Sequence, residues 1–180
     1  AYGKIIPQNI IDSFALGMLN IHYSLLPKYR GASPVENAIL AGDAMTGVSI
    51  QKLVFKLDAG PIIGVREVPI DNAITTPELK DKLTETGIEL LLEILPNYLS
   101  GKITPTEQDE SLATHCGKIE KTAGELLATD SDLAKWRKYR AYFGWPGVFY
   151  FDADGKRNKV TLAAFENGAF VIKKIIPEGK

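Results

Sequence analysis

The chain has 180 residues, of which 45% are hydrophobic, 24% charged and 9% aromatic, and its formal net charge is −1. This length suits one ordinary domain or two small ones, and the composition excludes a disordered tail, a collagen-like chain and an integral membrane protein. One cysteine, Cys116, excludes a disulfide framework, and two histidines leave little material for a metal centre. No apolar run approaches about 18 residues and no signal sequence is visible, so we expect a soluble, cytoplasmic protein without a membrane partner.

The first part of the sequence predicts helices alternating with strands. A short helix around residues 10–11 is followed by a buried strand over residues 19–24, which Pro27 ends. Ser33 and Pro34 provide a helix cap and a first helical residue, so we predict a helix up to about Ala41.

Two β-rich runs follow over residues 48–55 and 62–68, and the Asp58-Ala-Gly60-Pro connection between them predicts a tight bend. The longest helix begins at residue 76, and Pro96 predicts a kink or an early end near that position. Residues 100–123 are polar, show no period and predict an extended linker.

The last part of the sequence predicts one helix and three short strands. The helix covers about residues 131–142, and Asp154-Gly155 and Asn167-Gly168 are typical hairpin turns. Alternating elements followed by clustered hairpins favour an α/β domain and then a small β-barrel-like domain.

Charge is divided unevenly along the chain. Residues 1–110 carry 9 Lys and Arg against 14 Asp and Glu, a balance of −5, whereas residues 111–180 carry 12 against 8, a balance of +4. This asymmetry hints at a polyanionic partner for the second part, although solvated charged faces are the more common explanation of such a pattern.

Three polar side chains are candidates for one active site. Asn20 and His22 lie two residues apart on the predicted strand, so both side chains project from the same face. Ligands of α/β folds usually bind near strand ends, and Asp58 in the later bend can reach the same edge. An Asn amide can stabilise an oxyanion and a His can transfer a proton near pH 7, which indicates an acyl-type transfer. The alternative is that His22 is a bonded structural residue.

Other chemistry has weaker support in the sequence. His115 and Cys116 are chain neighbours whose side chains diverge in an extended segment, which disfavours a Cys–His nucleophile pair. Ser24 lacks a Gly-x-Ser-x-Gly elbow, and neither glycine-rich nucleotide-binding motif is present.

The residues around the predicted catalytic strand resemble the folate-dependent formyltransferases, most closely those that act on methionyl-tRNA. They read Asn20-Ile-His22-Tyr-Ser24-Leu-Leu-Pro27-Lys-Tyr-Arg30-Gly-Ala-Ser-Pro34. Four further stretches agree with that family, at residues 1–7, 41–50, 57–61 and 108–114, and the Trp145-Pro-Gly147 turn is similar to the start of its C-terminal barrel.

This resemblance implies a partial Rossmann-like formyltransferase domain with a parallel sheet over residues 1–99. A linker over residues 100–123 and an OB-like, tRNA-binding β-barrel over residues 124–180 would follow. The implied reaction moves a formyl group from 10-formyltetrahydrofolate to the α-amine of initiator methionyl-tRNA, in a monomer that needs no metal. Asn20 and protonated His22 would stabilise the oxyanion, His22 would relay a proton, and Asp58 would hold His22 and a water molecule.

The resemblance also implies two binding surfaces. Residues expected at the folate site are Tyr2, Ile5, Ile6, Ser24, Leu25, Leu26, Pro27, Phe55, Lys56 and Leu57. Residues expected at the tRNA are Lys28, Arg30, Lys135, Arg137, Lys138 and Arg140. Core packing of the two leucines, and a solvated loop around the first two basic residues, remain open alternatives.

The family's catalytic domain starts with several strands and helices that have no counterpart before Ala1, and its barrel usually continues beyond residue 176. We therefore expect a fragment of the enzyme. Two other functions stay open: a formyltransferase for another amine, such as that of an amino-sugar nucleotide, and a catalytically silent RNA-binding module.

Overall fold

The structure is a computed structural model that describes residues 6–178. The first helices and strands along the chain are α1 (Gln8–Ile11), β1 (Leu19–His22), β2 (Arg30–Gly31), α2 (Pro34–Ala41), β3 (Met45–Lys52) and β4 (Ile62–Pro69). They are followed by α3 (Thr76–Leu99), β5 (His115–Cys116), α4 (Asp132–Ala141), β6 (Val148–Phe151), β7 (Arg157–Glu166) and β8 (Ala169–Pro177). Two short 3-10 turns cover Glu110–Leu112 and Lys121–Gly124.

Contacts between residues divide the chain into two compact units, each made of separated stretches. The first unit holds residues 6–34, Met45–Pro69 and Lys80–Gly117. The second unit holds Val35–Ala44, Ile70–Leu79 and residues 118–178.

A three-stranded sheet, in the order β1-β3-β4, forms the framework of the first unit. Strand β1 pairs with β3 from Leu19 opposite Lys52 to His22 opposite Ser49. Strand β3 is buried from Thr46 to Gln51 because it is the central strand.

Strand direction differs between the two sheets of this unit. The resemblance implied a parallel sheet in this part of the chain. The three strands of the main sheet run antiparallel, and the short ladder of β2 with β5 is parallel. Strands β3 and β4 are joined by residues 53–61, which contain no crossover helix. Parallel neighbours need such a crossover, so this direct connection makes the pair antiparallel.

Helix α3 covers one face of the sheet with its apolar side. Leu90 packs in a core cluster with Ile50 and Ile63, around which partly buried residues such as Ile94 are arranged. The helix contains Pro96 and continues to Leu99, so the proline does not end it early.

Residues 100–117 do not form a free linker. Thr106 pairs with Ile62, and the β5 strand pairs with β2, so this stretch returns to the first unit. The contacts thus group it with residues that precede it by more than 40 positions.

The second unit contains the predicted helix and hairpins. Ser131 caps α4 by accepting a hydrogen bond from the backbone of Ala134. Strands β6, β7 and β8 form an antiparallel meander, and Asn167 and Gly168 both adopt positive φ in the last turn, as a two-residue hairpin requires. Helix α2 also agrees with the prediction, since it ends at Ala41 before Gly42 at φ +75°.

Across residues 6–178, none of the helices combines the length and apolar character needed to cross a bilayer.

Candidate active site

Strand β1 carries two of the three predicted catalytic side chains. Asn20 lies opposite Gln51 and His22 lies opposite Ser49 in the antiparallel ladder. Because alternate residues of a strand share a face, and directly opposed residues do so too, these four side chains lie on one side of the sheet. His22 is buried, with 5% of its surface exposed, while Asn20 is half-buried.

The two ring nitrogens of His22 have different surroundings. Nε2 lies 2.9 Å from the carbonyl oxygen of Tyr29 and donates to it, because a carbonyl can only accept. Nδ1 lies 3.7 Å from Oδ2 of Asp58, which is an ion-pair distance but too long for a hydrogen bond. Nδ1 is therefore the ring atom at which a proton can be gained or released beside a carboxylate.

Asp58 is held in place on three sides. Its Oδ2 accepts a hydrogen bond of 2.8 Å from the backbone of Gly31, and its Oδ1 accepts one of 3.0 Å from Nε2 of Gln51. Nε2 of Gln108 donates to the carbonyl of Asp58 at 2.9 Å. The residue itself adopts φ +49°, a conformation that Asp tolerates better than most residues. The carboxylate is thus preorganised opposite His22.

The sequence analysis missed the two glutamines that hold Asp58. Gln51 is fully buried, and its position opposite Asn20 follows from the register of β1 and β3. Gln108 lies in one of the stretches that agree with the family, but it was given no role. Its Nε2 also donates to Gly60 at 2.8 Å, and its Oε1 accepts two hydrogen bonds from Arg30.

The residues after β1 that were expected at the folate site are partly structural. Ser24 is fully buried and its hydroxyl donates to the carbonyl of Lys28 at 2.6 Å. Leu26 is buried, and its backbone N–H donates to the hydroxyl of Ser49. Leu25 and Pro27 are half-buried.

The loop before Asp58 presents apolar side chains to solvent. Phe55 is 65% exposed and Leu57 is 62% exposed, while Lys56 between them forms an ion pair with Glu110 at 2.6 Å. Exposed large apolar side chains in one short loop are typical of a ligand-contacting surface. Ile6 is half-buried, and Tyr2 and Ile5 lie outside the described residues.

Arg30 is not available for the predicted contact with tRNA. It is fully buried, and its guanidinium donates to Gln108 and to Glu110. The hydrogen bond from Arg30, followed by that from Lys56, lowers the pKa of Glu110 to about 2. Burial and these partners make Arg30 a structural residue of the site, so its predicted role in tRNA binding is corrected. The partners are Gln108 and Glu110, which follow Arg30 by 78 and 80 positions in the chain.

The other predicted tRNA contacts differ in accessibility. Lys28 is exposed, and Lys135 and Arg137 are half-buried on α4. Lys138 is half-buried like Lys135 and Arg137 and donates to the backbone of Glu125 and to Asp130, whereas Arg140 is only 3% exposed. The prediction for Arg140 is corrected because the last residues of α4, Tyr139, Arg140 and Ala141, are buried, and the contact of Lys138 with tRNA stays a prediction.

Among the described residues, no group of three or more His, Cys, Asp or Glu side chains is arranged to hold a metal ion.

Residues 1–95 match the family model described as formyl transferase. The chain belongs to the formyl transferase family. It is 43% identical over 163 residues to methionyl-tRNA formyltransferase of Bdellovibrio bacteriovorus, a match that covers 91% of this chain and 51% of that protein. The chain spans about half the length of the curated relatives it matches.

Solved structures share the fold. HypX from Aquifex aeolicus in complex with tetrahydrofolic acid superposes with a TM-score of 0.79 at 23% identity, covering 98% of this chain and 35% of that one. Methionyl-tRNA formyltransferase from Clostridium thermocellum superposes with a TM-score of 0.74 at 22% identity, covering 98% and 75% of the two chains. These likenesses show the α/β formyltransferase fold.

Proposed function

We propose that this chain carries the reacting residues of a transfer of a formyl group from 10-formyltetrahydrofolate to the α-amine of initiator methionyl-tRNA. The observation that carries the proposal is the ion-pair geometry between Nδ1 of His22 and Oδ2 of Asp58, at 3.7 Å, in a chain of the formyl transferase family. The relatives named for this reaction support the choice of substrates.

The proposed chemistry uses a tetrahedral oxyanion. The folate donor supplies the formyl carbon as an electrophile. The amine forms a bond to this carbon, the bond from the carbon to the folate nitrogen breaks, and the proton lost by the amine is returned to that nitrogen. The Asn20 amide and the Nδ1–H of protonated His22 donate to the oxyanion, and each such donor typically contributes about 10²–10³ in turnover.

The roles of His22 and Asp58 follow from their hydrogen bonds. Nε2 of His22 keeps its proton on the carbonyl of Tyr29, so Nδ1 is the atom that exchanges a proton with the substrates. Asp58 faces that atom and stabilises the ring when Nδ1 is protonated. Because Gly31 and Gln51 hold the carboxylate in one orientation, little free energy is needed to reorient it during the reaction.

The folate ring system would lie against the loop before Asp58. Phe55 and Leu57 expose apolar side chains in the residues that precede Asp58 in the chain, which suits the planar pterin. Leu25, half-buried after β1, would extend this surface. Tyr2, Ile5 and Ile6 remain proposed parts of the same site.

The acceptor tRNA would meet basic side chains that solvent reaches. Lys28 follows the catalytic strand, and Lys135 and Arg137 lie on α4. Each phosphate contact of this kind weakens as salt is raised. We further propose that the meander of β6, β7 and β8 is part of the small barrel that the family resemblance implies.

The test is formyl transfer by the 180-residue chain with His22→Ala, Asp58→Asn and Asn20→Ala, each compared with His115→Ala. His115 is the other histidine of the chain and is exposed in the same unit, so it is a matched control. We expect turnover to fall by at least about 10²-fold in the first three variants. The His115 variant is expected to retain wild-type turnover with the same circular dichroism spectrum.

The acceptor identifies the function. Initiator methionyl-tRNA is expected to be formylated, and an amino-sugar nucleotide is expected to remain unmodified. Formylation of the sugar amine alone would replace the proposed acceptor. Salt-sensitive tRNA binding without folate binding or turnover would instead establish a silent RNA-binding module.

A further inference from the structure

A cavity in the second unit has no role in the proposed reaction. It has a volume of about 540 Å³ and is bordered by residues 71–73, by one face of α4 and by Phe165. This volume lies within the range of small-molecule sites, which is about 300–1,000 Å³. Its walls combine aromatic rings with two guanidinium groups.

Arg140 is the first observation that indicates a ligand. It is 3% exposed, and its Nη1 donates to the carbonyls of Asp71 and Ile74 at 3.2 and 3.3 Å. Its Nε is buried and has no hydrogen-bond partner among residues 6–178. A buried N–H without an acceptor is unfavourable, and an anionic ligand in the cavity that Arg140 lines would offset this cost through the charge of the guanidinium.

Arg137 places a second positive charge on the same cavity. Its Nη1 donates to the carbonyl of Ala41 at 3.1 Å, and the residue stays half-buried. Burial, followed by the charge of Arg137, lowers the pKa of Arg140, while the carboxylate of Asp71 acts in the opposite direction. Asp71 also lines the cavity, and its carboxylate accepts a hydrogen bond from the backbone of Ala73. An anion between the two arginines would relieve their repulsion.

The aromatic side of the cavity is built from parallel rings. Trp136 stacks on Tyr139 at 5.6 Å and on Phe165 at 6.1 Å, with interplanar angles of 19° and 18°. Its indole N–H is fixed on the carbonyl of Asn72 at 2.9 Å. Phe165 is 36% exposed, so a further planar group can stack on the column from solvent.

We propose that this cavity binds a nucleoside phosphate unit, with the base against Phe165 and Trp136 and the phosphate on Arg137, while the buried Arg140 adds positive charge at the cavity wall. Aromatic stacking combined with arginine is the usual chemistry of unpaired nucleotides. The unit comes from a single-stranded stretch of RNA or from a free nucleotide. The choice of RNA rests on the proposed function, whereas nucleotide binding itself does not.

The test uses the full chain carrying Trp145→Phe, which leaves Trp136 as the sole tryptophan. Its fluorescence is followed during titration with adenosine 5′-monophosphate, with no folate or acceptor present. We expect saturable quenching. Arg137→Met should weaken binding about 10-fold or more and Phe165→Leu about 5-fold or more, as charged hydrogen bonds and base stacking usually do.

Two matched controls accompany these variants. Lys174→Met removes an exposed charge from the same unit, and Phe151→Leu removes an exposed ring, and neither residue lines this cavity. Each control is expected to bind the nucleotide as the parent does. All variants are first compared by circular dichroism, and Phe165→Leu carries the test if Arg137→Met does not fold.

The competing outcomes are separable. If a single-stranded oligoadenylate displaces the bound nucleotide at a lower concentration, counted per nucleotide, than free nucleotide does, RNA is the source. If only free nucleotide displaces it, the ligand is a small molecule. Absence of quenching, equal binding by the two cavity variants and their controls, or equal displacement by inorganic phosphate would overturn the proposal. None of these results depends on formyl transfer, so failure here is distinct from failure of the proposed function.

Discussion

Gln108 donates a hydrogen bond of 2.9 Å to the backbone carbonyl of Asp58, a residue 50 positions earlier in the chain. The same amide nitrogen donates to Gly60, and the amide oxygen accepts from Arg30. One neutral side chain therefore connects the loop that bears the carboxylate to a fully buried guanidinium.

Replacement of Gln108 separates these two tasks. In Gln108→Glu the carboxylate still accepts from Arg30 but cannot donate to Asp58 or Gly60, so we expect a folded protein with a lower turnover number. In Gln108→Ala the buried guanidinium also loses an acceptor, and the free energy of unfolding should fall by a further 1–3 kcal/mol approximately. Urea unfolding and formyl-transfer kinetics measure the two effects, and equal stability of both variants would contradict the assignment.

Glu110 predicts a specific dependence of stability on pH. Its pKa in the folded protein is about 2, below the ordinary value of 4.5, because Arg30 and then Lys56 donate hydrogen bonds to it. Between these values the unfolded chain binds more protons than the folded one, so stability decreases as the pH is lowered through this window. The stabilisation is fully present above about pH 4.5 and is lost as the pH falls through about 2.

The measurement compares Glu110→Gln with the parent by urea unfolding at pH 6, 4 and 2. The difference in unfolding free energy should be constant above pH 5 and should shrink toward pH 2. Glu107→Gln, an exposed acid three positions away, serves as the control. A difference that persists unchanged at pH 2 would refute the role of the Arg30 contact.

Ser49 joins the strand β3 to the loop after β1. Its fully buried hydroxyl accepts from the backbone of Leu26 at 3.0 Å and donates to the carbonyl of Ser24 at 2.7 Å. Ser49→Ala leaves both buried backbone groups without this partner, so we expect a loss of about 1–3 kcal/mol in urea unfolding. Ser100→Ala, at an exposed position, should change the free energy of unfolding little. If Ser49→Ala also leaves the free energy of unfolding unchanged, other contacts hold the loop.

Gly31 is a position where a side chain has no room. It has φ +119°, and a Cβ there would lie 2.1 Å from the carbonyl oxygen of Cys116. Gly31→Ala must shift the backbone N–H that donates to Asp58, so we expect lower turnover and a loss of at least about 2 kcal/mol of stability. A Cβ at Gly117 meets nothing within 4 Å, and Gly117→Ala should therefore behave as the parent. Thermal unfolding and formyl transfer test this pair, and wild-type behaviour of Gly31→Ala would disprove the close packing.

Local signals made much of the fold predictable. The helix from Pro34 to Ala41 and the hairpin at Asn167-Gly168 follow from residues whose backbone preferences act within a few positions. The candidate site was predictable as far as residue type and strand spacing allow, which brought Asn20, His22 and Asp58 into consideration.

The remaining features depend on contacts between distant residues. Gln51 reaches Asp58 because of the strand register, and Gln108 reaches it because a later segment returns to the first unit. No local sequence pattern predicts either contact. Arg30 was assigned to tRNA because it is charged and lies in a loop, whereas the structure pairs it internally and buries it. Charge alone does not determine whether an arginine faces solvent, since its planar group can be satisfied inside a protein.

The interleaving of the two units restricts how the protein can be dissected. The chain passes from one unit to the other at five points, after residues 34, 44, 69, 79 and 117. A fragment that starts at residue 118 would lack two stretches of its own unit, and these include the Asp71 and Ile74 carbonyls that bind Arg140. Independent expression of either half by a single cut is therefore expected to yield an unstable polypeptide, and separation of the halves calls for circular permutation or for co-expressed pieces.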